Sequence, residues 1–309
     1  MTAGGSSGGE GALVAFRGSI LGIGTDIAGS IRIPSLCCGV YGFKPSIDRI
    51  PWGGQVADIA MEGTPGLKPS AGPLAHSLND IELFMSTIIN AEPWKYDCTA
   101  SAAPWSYPKA STHEPRQLTI GILPESKDFP LHPPVKRALQ TAISALKTKG
   151  HRIVYLSETP DIDFAYANRL AFQYFIYGPH TDHIAASGEP PVTSVAKMSS
   201  PMFSGPFPVD MELPPFEKID ALHKARKAYA EAWRKTWIEY NLDVLLAPGA
   251  QNTAVPHDTF GWPPYTVVWN LLDVSVPIYH LLDRSGDCVA NDSVVPCLHY
   301  SVRQGFEGA

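Results

Sequence analysis

The chain has 309 residues, of which 44% are hydrophobic and 17% are charged, and its formal net charge at pH 7 is −6. This length and apolar content allow a large buried core, in one large α/β domain or in two. The negative charge and the lack of a basic run exclude nucleic acid as the expected partner, and no stretch has the hydropathy of a membrane span.

The cysteines indicate a reducing environment. There are five, an odd number, and no two of them form a Cys-x-x-Cys pair. This usage is typical of free thiols, so we expect a cytoplasmic protein. Cys37 and Cys38 are predicted to be small buried side chains rather than redox or metal-binding groups.

Two glycine-rich segments that contain serine lie at the start of the chain. Residues 4–9 read Gly-Gly-Ser-Ser-Gly-Gly, and residues 24–34 read Gly-Thr-Asp-Ile-Ala-Gly-Ser-Ile-Arg-Ile-Pro. Glycine lets main-chain amides approach a bound group closely, and consecutive N–H groups on a tight turn can bind an anion. We therefore predict that Ser30 is a nucleophile and that its own turn supplies the oxyanion donors.

A serine nucleophile needs a neighbouring base. The first histidine of the chain is His76, which directly precedes a predicted helix cap, where histidine is usually a surface or capping group. Hydroxyl candidates nearer to Ser30 than this histidine are those of Ser6 and Ser7. A histidine-based triad is therefore not the favoured interpretation.

Three other interpretations fit part of this pattern. A Gly/Ser cluster is often a flexible linker, but the specific order of the second segment argues against one. A phosphate-binding loop lacks the Gly-Lys-Ser/Thr that should follow the glycines. The nucleophile elbow of α/β-hydrolases, with Ser7 as nucleophile, requires a preceding buried strand that residues 1–5 cannot supply.

In order and spacing, the two segments resemble the motifs of the amidase signature family, whose members hydrolyse amides with a Ser–cis-Ser–Lys triad. The resemblance implies that Ser30 is the nucleophile, that Ser6 is the bridging serine on a cis peptide bond, and that Ser7 is a supporting serine. It implies an oxyanion hole formed by the turn residues Ile27, Ala28, Gly29 and Ser30. It also implies two polar residues that brace the turn, Asp26 and Arg32.

In that family the catalytic lysine lies many tens of residues before the first loop, where this chain has only Met1, Thr2 and Ala3. The first lysine is Lys44, in a Gly-Phe-Lys-Pro-Ser segment that is structural in the family. We therefore expect an N-terminally truncated amidase whose activity is impaired. The alternative is a non-catalytic remnant that binds amides without turnover.

The remaining chain is predicted to alternate helices with strands. Apolar periodicity and end signals predict helices over residues 78–90 with Ser77 as N-cap, 133–150, 161–177 and 216–240. Strands are predicted over residues 38–43, 118–123, 152–156 and 243–248, the middle two forming a parallel β-α-β unit. Residues 14–24 are predicted as a helix or strand that leads to the turn, residues 91–117 and 178–215 as irregular, and residues 274–309 show no clear periodicity.

Two further segments are similar to the fungal acetamidase-type branch of the family, namely residues 48–55 and 261–270. Residues 48–55 are predicted either to shape the acyl pocket or to form a packed turn. Tyr265, Trp269 and Asn270 are expected either near the substrate entrance or in the core. This branch favours small aliphatic amides such as acetamide as substrates, with fatty acid amides as the second choice.

The resemblance implies a single partial amidase domain over residues 1–309, of the α/β class, with a mixed central β-sheet flanked by helices and incomplete at the N-terminus. It implies no metal or organic cofactor. The expected partner is a small-molecule amide substrate, and the assembly left open by the sequence includes a homodimer.

Overall fold

The computed structural model describes residues 2–54, 66–106, 117–157, 159–177, 187–190, 193–198, 203–253, 255–278 and 296–299. The helices are α1 Gly8–Ala15, α2 Arg32–Cys38, α3 Leu78–Asn90, α4 Pro133–Thr148, α5 Phe164–Tyr177, α6 Thr193–Met198, α7 Pro215–Glu239 and α8 Pro264–Leu271. The strands are β1 Leu21–Asp26, β2 Tyr41–Lys44, β3 Ser70–Ala75, β4 Thr119–Ile122, β5 Arg152–Tyr155, β6 Val244–Pro248, β7 Val276–Ile278 and β8 Pro296–His299. Short 3-10 turns cover Pro93–Lys95 and Pro160–Ile162.

The first sheet has the strand order β1-β3-β2-β7, and all its neighbours are antiparallel. β1 pairs with β3 along its whole length, from Leu21 opposite Ala75 to Asp26 opposite Ser70. β1 therefore ends at Asp26, and the chain turns directly into the segment that contains Ser30.

The second sheet has the strand order β5-β4-β6-β8. β4 pairs in parallel with β5 and with β6, while β8 is antiparallel to β6. The predicted β-α-β unit is thus confirmed, with α4 as its crossover helix. β7 and β8 lie against each other, so the two four-stranded sheets adjoin at these strands. The predicted mixed α/β class is confirmed, with the strands divided between two sheets.

Local end signals explain where several helices begin. α3 begins after Ser77, whose hydroxyl oxygen accepts the N–H of Asp80 at 3.2 Å, and it ends where the sequence predicted. α5 begins three residues later than predicted, because the Asp163 carboxylate accepts the N–H of Ala165 at 2.8 Å and Pro160–Ile162 forms a 3-10 turn. Within the described ranges, none of the helices combines the length and hydropathy that a bilayer span requires.

Two apolar cores lie beside the sheets. A small one beneath the first sheet contains Val14, Ile31, Val40 and Leu74. A large one surrounds β4 and β6 and includes α4, α5, α7 and α8. All eight residues of α8 are buried, and this helix extends from the large core to the turn after β1. The position of α8 is what connects the second half of the fold to the candidate site.

Candidate active site

The turn between β1 and α2 contains the predicted nucleophile. Ser30 is partly buried, and the flanking residues Asp26 and Arg32 are completely buried. Ile31, next to Ser30, belongs to the small core, and Ile33 donates its N–H to the Gly29 carbonyl at 2.7 Å. The turn is therefore anchored on the side that faces the protein interior.

The Asp26 carboxylate holds the turn in shape. Oδ1 accepts the N–H of Gly29 at 2.8 Å, and Oδ2 accepts those of Ile31 and Arg32 at 3.1 and 3.4 Å. The Arg32 side chain donates to both oxygens, from Nε at 2.9 Å and from Nη2 at 2.8 Å. This bidentate ion pair and the main-chain bonds fix the path of the chain across Ser30.

Helix α8 completes this network from the other side. Arg32 Nη1 donates to the Thr266 carbonyl at 2.8 Å, and Nη2 donates to Asn270 Oδ1 at 2.6 Å. Asn270 Nδ2 donates to Asp26 Oδ1 at 3.0 Å and to the Asp26 carbonyl at 3.1 Å. Burial by itself would raise the pKa of Asp26, but the charge and hydrogen bonds of Arg32 lower it to about 2. The carboxylate is therefore ionised at neutral pH.

Gly29 has a conformation and a position that require glycine. Its φ is +131°, and a Cβ atom at this position would lie 2.4 Å from Thr266 Oγ1 and 2.7 Å from Ile33 Cδ1. Its N–H donates to Asp26 Oδ1 at 2.8 Å, so in this conformation Gly29 is the one residue of the predicted oxyanion hole whose amide is engaged. The physical reason is the buried carboxylate, which takes this N–H as the first bond of the turn.

The other three amides of the predicted oxyanion hole remain available. In the part of the chain that the structure describes, no protein acceptor takes the N–H of Ile27, Ala28 or Ser30. All three residues are partly exposed. A turn with buried supports and unengaged amides is the type of arrangement that binds a developing negative charge.

The first glycine-rich loop lies against this turn. The peptide bond between Gly5 and Ser6 is cis, as the resemblance implies, and the Ser6 side chain is exposed. Ser7 donates its N–H to the Ser30 carbonyl at 3.1 Å, and its hydroxyl bonds with the main-chain N–H and carbonyl of Thr25 at 3.2 and 3.4 Å. Among the described residues, no hydrogen bond joins the hydroxyls of Ser6 and Ser30, and the contact between their segments is made by Ser7.

Lys44 lies at the end of β2 and is 1% exposed. Its Nζ donates to the Pro45 carbonyl at 2.8 Å. Burial lowers the pKa of Lys44 to about 8, against the opposing effect of the Asp273 carboxylate. The structure shows no hydrogen bond from this amine to Ser6 or Ser30 within the described ranges, which agrees with a structural lysine.

An aromatic cavity of about 550 Å³ adjoins the turn. Ile33 and Tyr265 form part of its wall, and each is next to the turn: Ile33 binds Gly29, and Tyr265 precedes Thr266 on α8. The ring-bearing residues of the wall are Phe129, Phe203, Phe260, Trp262 and Tyr265. Polar groups at the wall include the side chains of Asp128, Lys197, Gln251, Asn252 and Thr253.

Other residues that the sequence singled out make defined contacts in the structure. His76 Nε2 lies 2.6 Å from the Val14 carbonyl, a structural contact away from the turn. Trp269 is 2% exposed and packs in the large core, Tyr265 is buried with its hydroxyl bound to the Phe129 carbonyl, and Asn270 binds the ion pair. In residues 48–54, the N–H of Trp52 is bound by Thr99 and that of Gly53 by Asp97, as in a packed turn, and the role of this segment in the acyl pocket stays a prediction.

Sequence reasoning missed the roles of Thr266 and Asn270 on the turn. Thr266 Oγ1 donates to the Ala28 carbonyl at 2.6 Å, across 238 positions of sequence. The sequence carried one indication of these roles. Thr266 and Asn270 are polar residues on a largely apolar helix, and positions four apart lie on the same face of a helix.

Comparisons with known proteins agree with the geometry. An Amidase family profile matches residues 1–292. The chain is 39% identical over 280 residues to an amidase of Gibberella moniliformis, covering 88% of this chain and 50% of that protein. It is 36% identical over 294 residues to an acetamidase of Aspergillus oryzae, covering 90% of this chain and 52% of that protein. The chain therefore spans about half the length of these curated relatives.

Solved structures show the same fold. A fatty acid amide hydrolase matches with a TM-score of 0.79 at 24% identity, over 98% of this chain and 57% of that one. A bacterial aryl acylamidase matches with a TM-score of 0.69 at 19% identity, over 98% of this chain and 63% of that one. With the family profile and the fungal relatives, these matches confirm the resemblance inferred from the two serine segments. The chain belongs to the amidase signature family, with fungal amidases and acetamidases among its relatives.

Proposed function

We propose that this chain carries the nucleophile, the oxyanion-binding amides and the relay serine of an amide-hydrolysing site. The observation that carries the proposal is the turn from Asp26 to Arg32. Buried bonds pin its shape, while the N–H groups of Ile27, Ala28 and Ser30 have no acceptor among the described residues. Donors held in place before the reaction stabilise an oxyanion without the cost of reorganisation.

In the proposed reaction, Ser30 Oγ attacks the carbonyl carbon of the amide, and Ser6 accepts the Ser30 proton while it passes its own hydroxyl proton on toward the leaving nitrogen. The negative oxygen of the tetrahedral intermediate accepts bonds from the unengaged amides of the turn. The C–N bond then breaks, and the relayed proton leaves on ammonia or the amine. Water attacks the resulting ester, which releases the carboxylate and restores the hydroxyl of Ser30.

The relay in this family ends on a lysine, and among the described residues no lysine amine bonds to Ser6 or Ser30. Triad members act as a unit, so the rate of amide hydrolysis should depend on such a base. Small aliphatic amides are the proposed substrates, supported by the relatives named acetamidase.

An activated ester tests the nucleophile separately from the base. p-Nitrophenyl acetate needs little protonation of its leaving group, so Ser30 should be acetylated even where amide turnover is slow. We expect a burst of p-nitrophenolate and an acetyl group on Ser30 by peptide mass spectrometry, both lost in Ser30→Ala. Ser19→Ala is the matched control, since its hydroxyl bonds only to Leu21 on the approach to β1. Acetylation at another residue, or an unchanged burst in Ser30→Ala, would refute the proposal.

A larger apolar acyl group is the second candidate for the substrate, and the cavity beside the turn favours it. Its volume of about 550 Å³ lies in the range of pockets that enclose drug-sized ligands, far more than an acetyl group fills. Trp262 contacts the ring of Phe203 in the same wall, and its ring also packs against Phe172 and Phe175, which are not part of the wall.

The acyl length is tested by comparing acetyl with decanoyl p-nitrophenyl esters. If the cavity holds the acyl group, Trp262→Ala should slow acylation by the decanoyl ester about tenfold and leave the acetyl ester nearly unchanged. Leu83→Ala, an exposed position on α3, is the control. Equal effects of Trp262→Ala on both esters would show that the cavity does not bind the acyl group.

A further inference from the structure

Thr266 joins helix α8 to the Ser30 turn by its side chain. The residue is 2% exposed and lies in the first turn of the helix. Its hydroxyl is 2.6 Å from the Ala28 carbonyl and 3.3 Å from the Pro263 carbonyl of its own helix. A hydroxyl has one proton to donate, and the shorter distance gives it to Ala28.

The peptide unit between Ala28 and Gly29 is therefore bound at both ends. Its carbonyl accepts from Thr266 at 2.6 Å, and its N–H donates to Asp26 Oδ1 at 2.8 Å. A flip of this peptide would break both bonds and turn a carbonyl oxygen toward the Asp26 carboxylate. Asp26 and Thr266 act on opposite ends of the same rigid plane.

Packing adds to these two bonds. The space where Gly29 would carry a Cβ atom is filled by Thr266, with Oγ1 at 2.4 Å and Cβ at 2.8 Å from the ideal position. The main-chain carbonyl of Thr266 separately accepts Arg32 Nη1 at 2.8 Å. A change of the side chain therefore removes the bond to Ala28 and leaves the anchoring of Arg32 in place.

We propose that Thr266 is a positioning residue for the reaction: by holding the Ala28–Gly29 peptide it keeps the unengaged N–H groups of Ala28 and Ser30 aimed at the substrate oxygen. This inference rests on the proposed function. Each neighbouring peptide plane is related to the Ala28–Gly29 plane by two torsions, and holding that plane restrains one of each pair, namely ψ of Ala28 and φ of Gly29. The N–H groups of Ala28 and Ser30 on the neighbouring planes therefore have less freedom to turn away from the substrate. Asn270, one helical turn further along, positions Asp26 and Arg32 instead.

Three variants distinguish a positioning role of Thr266 from a general contribution of its side chain to core packing. Thr266→Ala removes the hydroxyl and the methyl group, while Thr266→Ser keeps the hydroxyl. Val268→Ala is the matched truncation on the same helix, because Val268 is 0% exposed and belongs to the large core. A merely structural role predicts that Thr266→Ala and Val268→Ala behave alike at equal loss of stability.

The first measurement is amide hydrogen exchange, which needs no catalysis. We expect Thr266→Ala to speed exchange at Gly29 about tenfold relative to a core amide such as that of Leu246, because the Ala28–Gly29 peptide is no longer held at its carbonyl. Thr266→Ser and Val268→Ala should leave this ratio within about threefold of the unaltered chain. An unchanged ratio in Thr266→Ala, or an equal change in Val268→Ala, would overturn the proposal.

The second measurement is acetylation of Ser30 by p-nitrophenyl acetate over a range of ester concentrations. We expect Thr266→Ala to lower the limiting rate about tenfold with the half-saturating concentration within about twofold, and Thr266→Ser to restore the rate. A rise in half-saturating concentration alone would contradict positioning of the oxyanion donors. If the unaltered chain is not acetylated at Ser30, the proposed function fails, and the exchange ratio alone then decides whether Thr266 holds the peptide.

Discussion

The main-chain N–H of Ser7 donates a hydrogen bond of 3.1 Å to the carbonyl oxygen of Ser30. This bond joins the two glycine-rich segments that dominate the start of the sequence. The Ser7 hydroxyl adds two contacts with the main chain of Thr25, just before the turn. The loop that carries Ser6 is thereby held in register with the turn that carries Ser30, although the two hydroxyls themselves share no hydrogen bond within the described residues.

The Ser7 hydroxyl should therefore matter for both stability and reactivity. Ser7→Ala keeps the main-chain bond to Ser30 but leaves two partly buried groups of Thr25 without this partner. We expect a loss of about 1 kcal/mol in the free energy of unfolding and slower acetylation of Ser30 by p-nitrophenyl acetate. Ser86→Ala is the control, because its hydroxyl bonds only within α3. Denaturant titration and burst kinetics measure both, and equal behaviour of the two variants would refute this role of Ser7.

The buried ion pair between Asp26 and Arg32 should be far more costly to break than an exposed pair. Both side chains are 0% exposed, so Asp26→Asn leaves the Arg32 guanidinium buried without a counter-charge. We expect a loss of about 3–5 kcal/mol in unfolding free energy.

Glu231→Gln is the matched carboxylate-to-amide change in an ion pair, since Glu231 pairs with Arg234 on exposed α7 at 2.7 Å. Because this pair is exposed to solvent, Glu231→Gln should leave the free energy of unfolding nearly unchanged. A similar small loss for Asp26→Asn, measured by urea unfolding, would show that the pair does not support the turn.

Two glycines with positive φ allow the cost of a steric clash to be measured separately from the cost of backbone strain. Gly29, at φ +131°, has Thr266 Oγ1 2.4 Å from an ideal Cβ, whereas Gly39, at φ +70°, has no atom within 4 Å. Gly39→Ala should cost only the strain of a left-handed alanine, about 1 kcal/mol.

Gly29→Ala should cost more than that and abolish acetylation of Ser30, because the turn must move away from α8. Thermal unfolding and the p-nitrophenolate burst measure the two effects. If Gly29→Ala is no worse than Gly39→Ala in both, the close contact between Gly29 and Thr266 is not maintained in solution.

Elements with local signals were predictable from the sequence. Helix α3 follows from its apolar spacing and the Ser77 cap, and the parallel β4-α4-β5 unit from two short apolar runs around a proline-started helix. The missed elements lack such signals. α2 contains Pro34 and the β-branched Ile33, which weaken its helical signal. β3 reads Ser-Ala-Gly-Pro-Leu-Ala, and β7 and β8 are short, so only pairing with neighbouring strands defines these three strands.

The residues of the candidate site also fall into those with a local sequence signal and those without one. Ser6, Ser7, Asp26, Ser30 and Arg32 lie in continuous motifs, and the structure brings these motifs together. Thr266 and Asn270 are 238 positions away from Ala28 and Arg32, respectively, and no local pattern connects them to the turn. The engagement of Gly29 by Asp26 was equally inaccessible, because it depends on the rotamer of a buried carboxylate rather than on the spacing of residues.

The buried Lys44 should give stability a distinct dependence on alkaline pH. Its pKa is lowered to about 8 by burial, with the Arg32 charge acting in the same direction and Asp273 and Asp26 in the opposite one. Between pH 8 and the ordinary lysine pKa of about 10.4, the unfolded chain binds more protons at this site than the folded chain. Its contribution to stability therefore rises with pH across that window and is constant below it.

Lys44→Met tests this sign, because methionine has a similar length and does not titrate. We expect the stability of Lys44→Met relative to the unaltered chain to be highest near pH 7 and to fall by about 2–3 kcal/mol as pH approaches 10.5. The Cys37 thiol, which is exposed rather than buried as the sequence predicted, is present in both chains, so any contribution from it cancels in the difference. Lys224→Met on the exposed face of α7 is the control. If the stability difference between Lys44→Met and the unaltered chain in urea unfolding does not change across this window, the fold does not lower the pKa of Lys44.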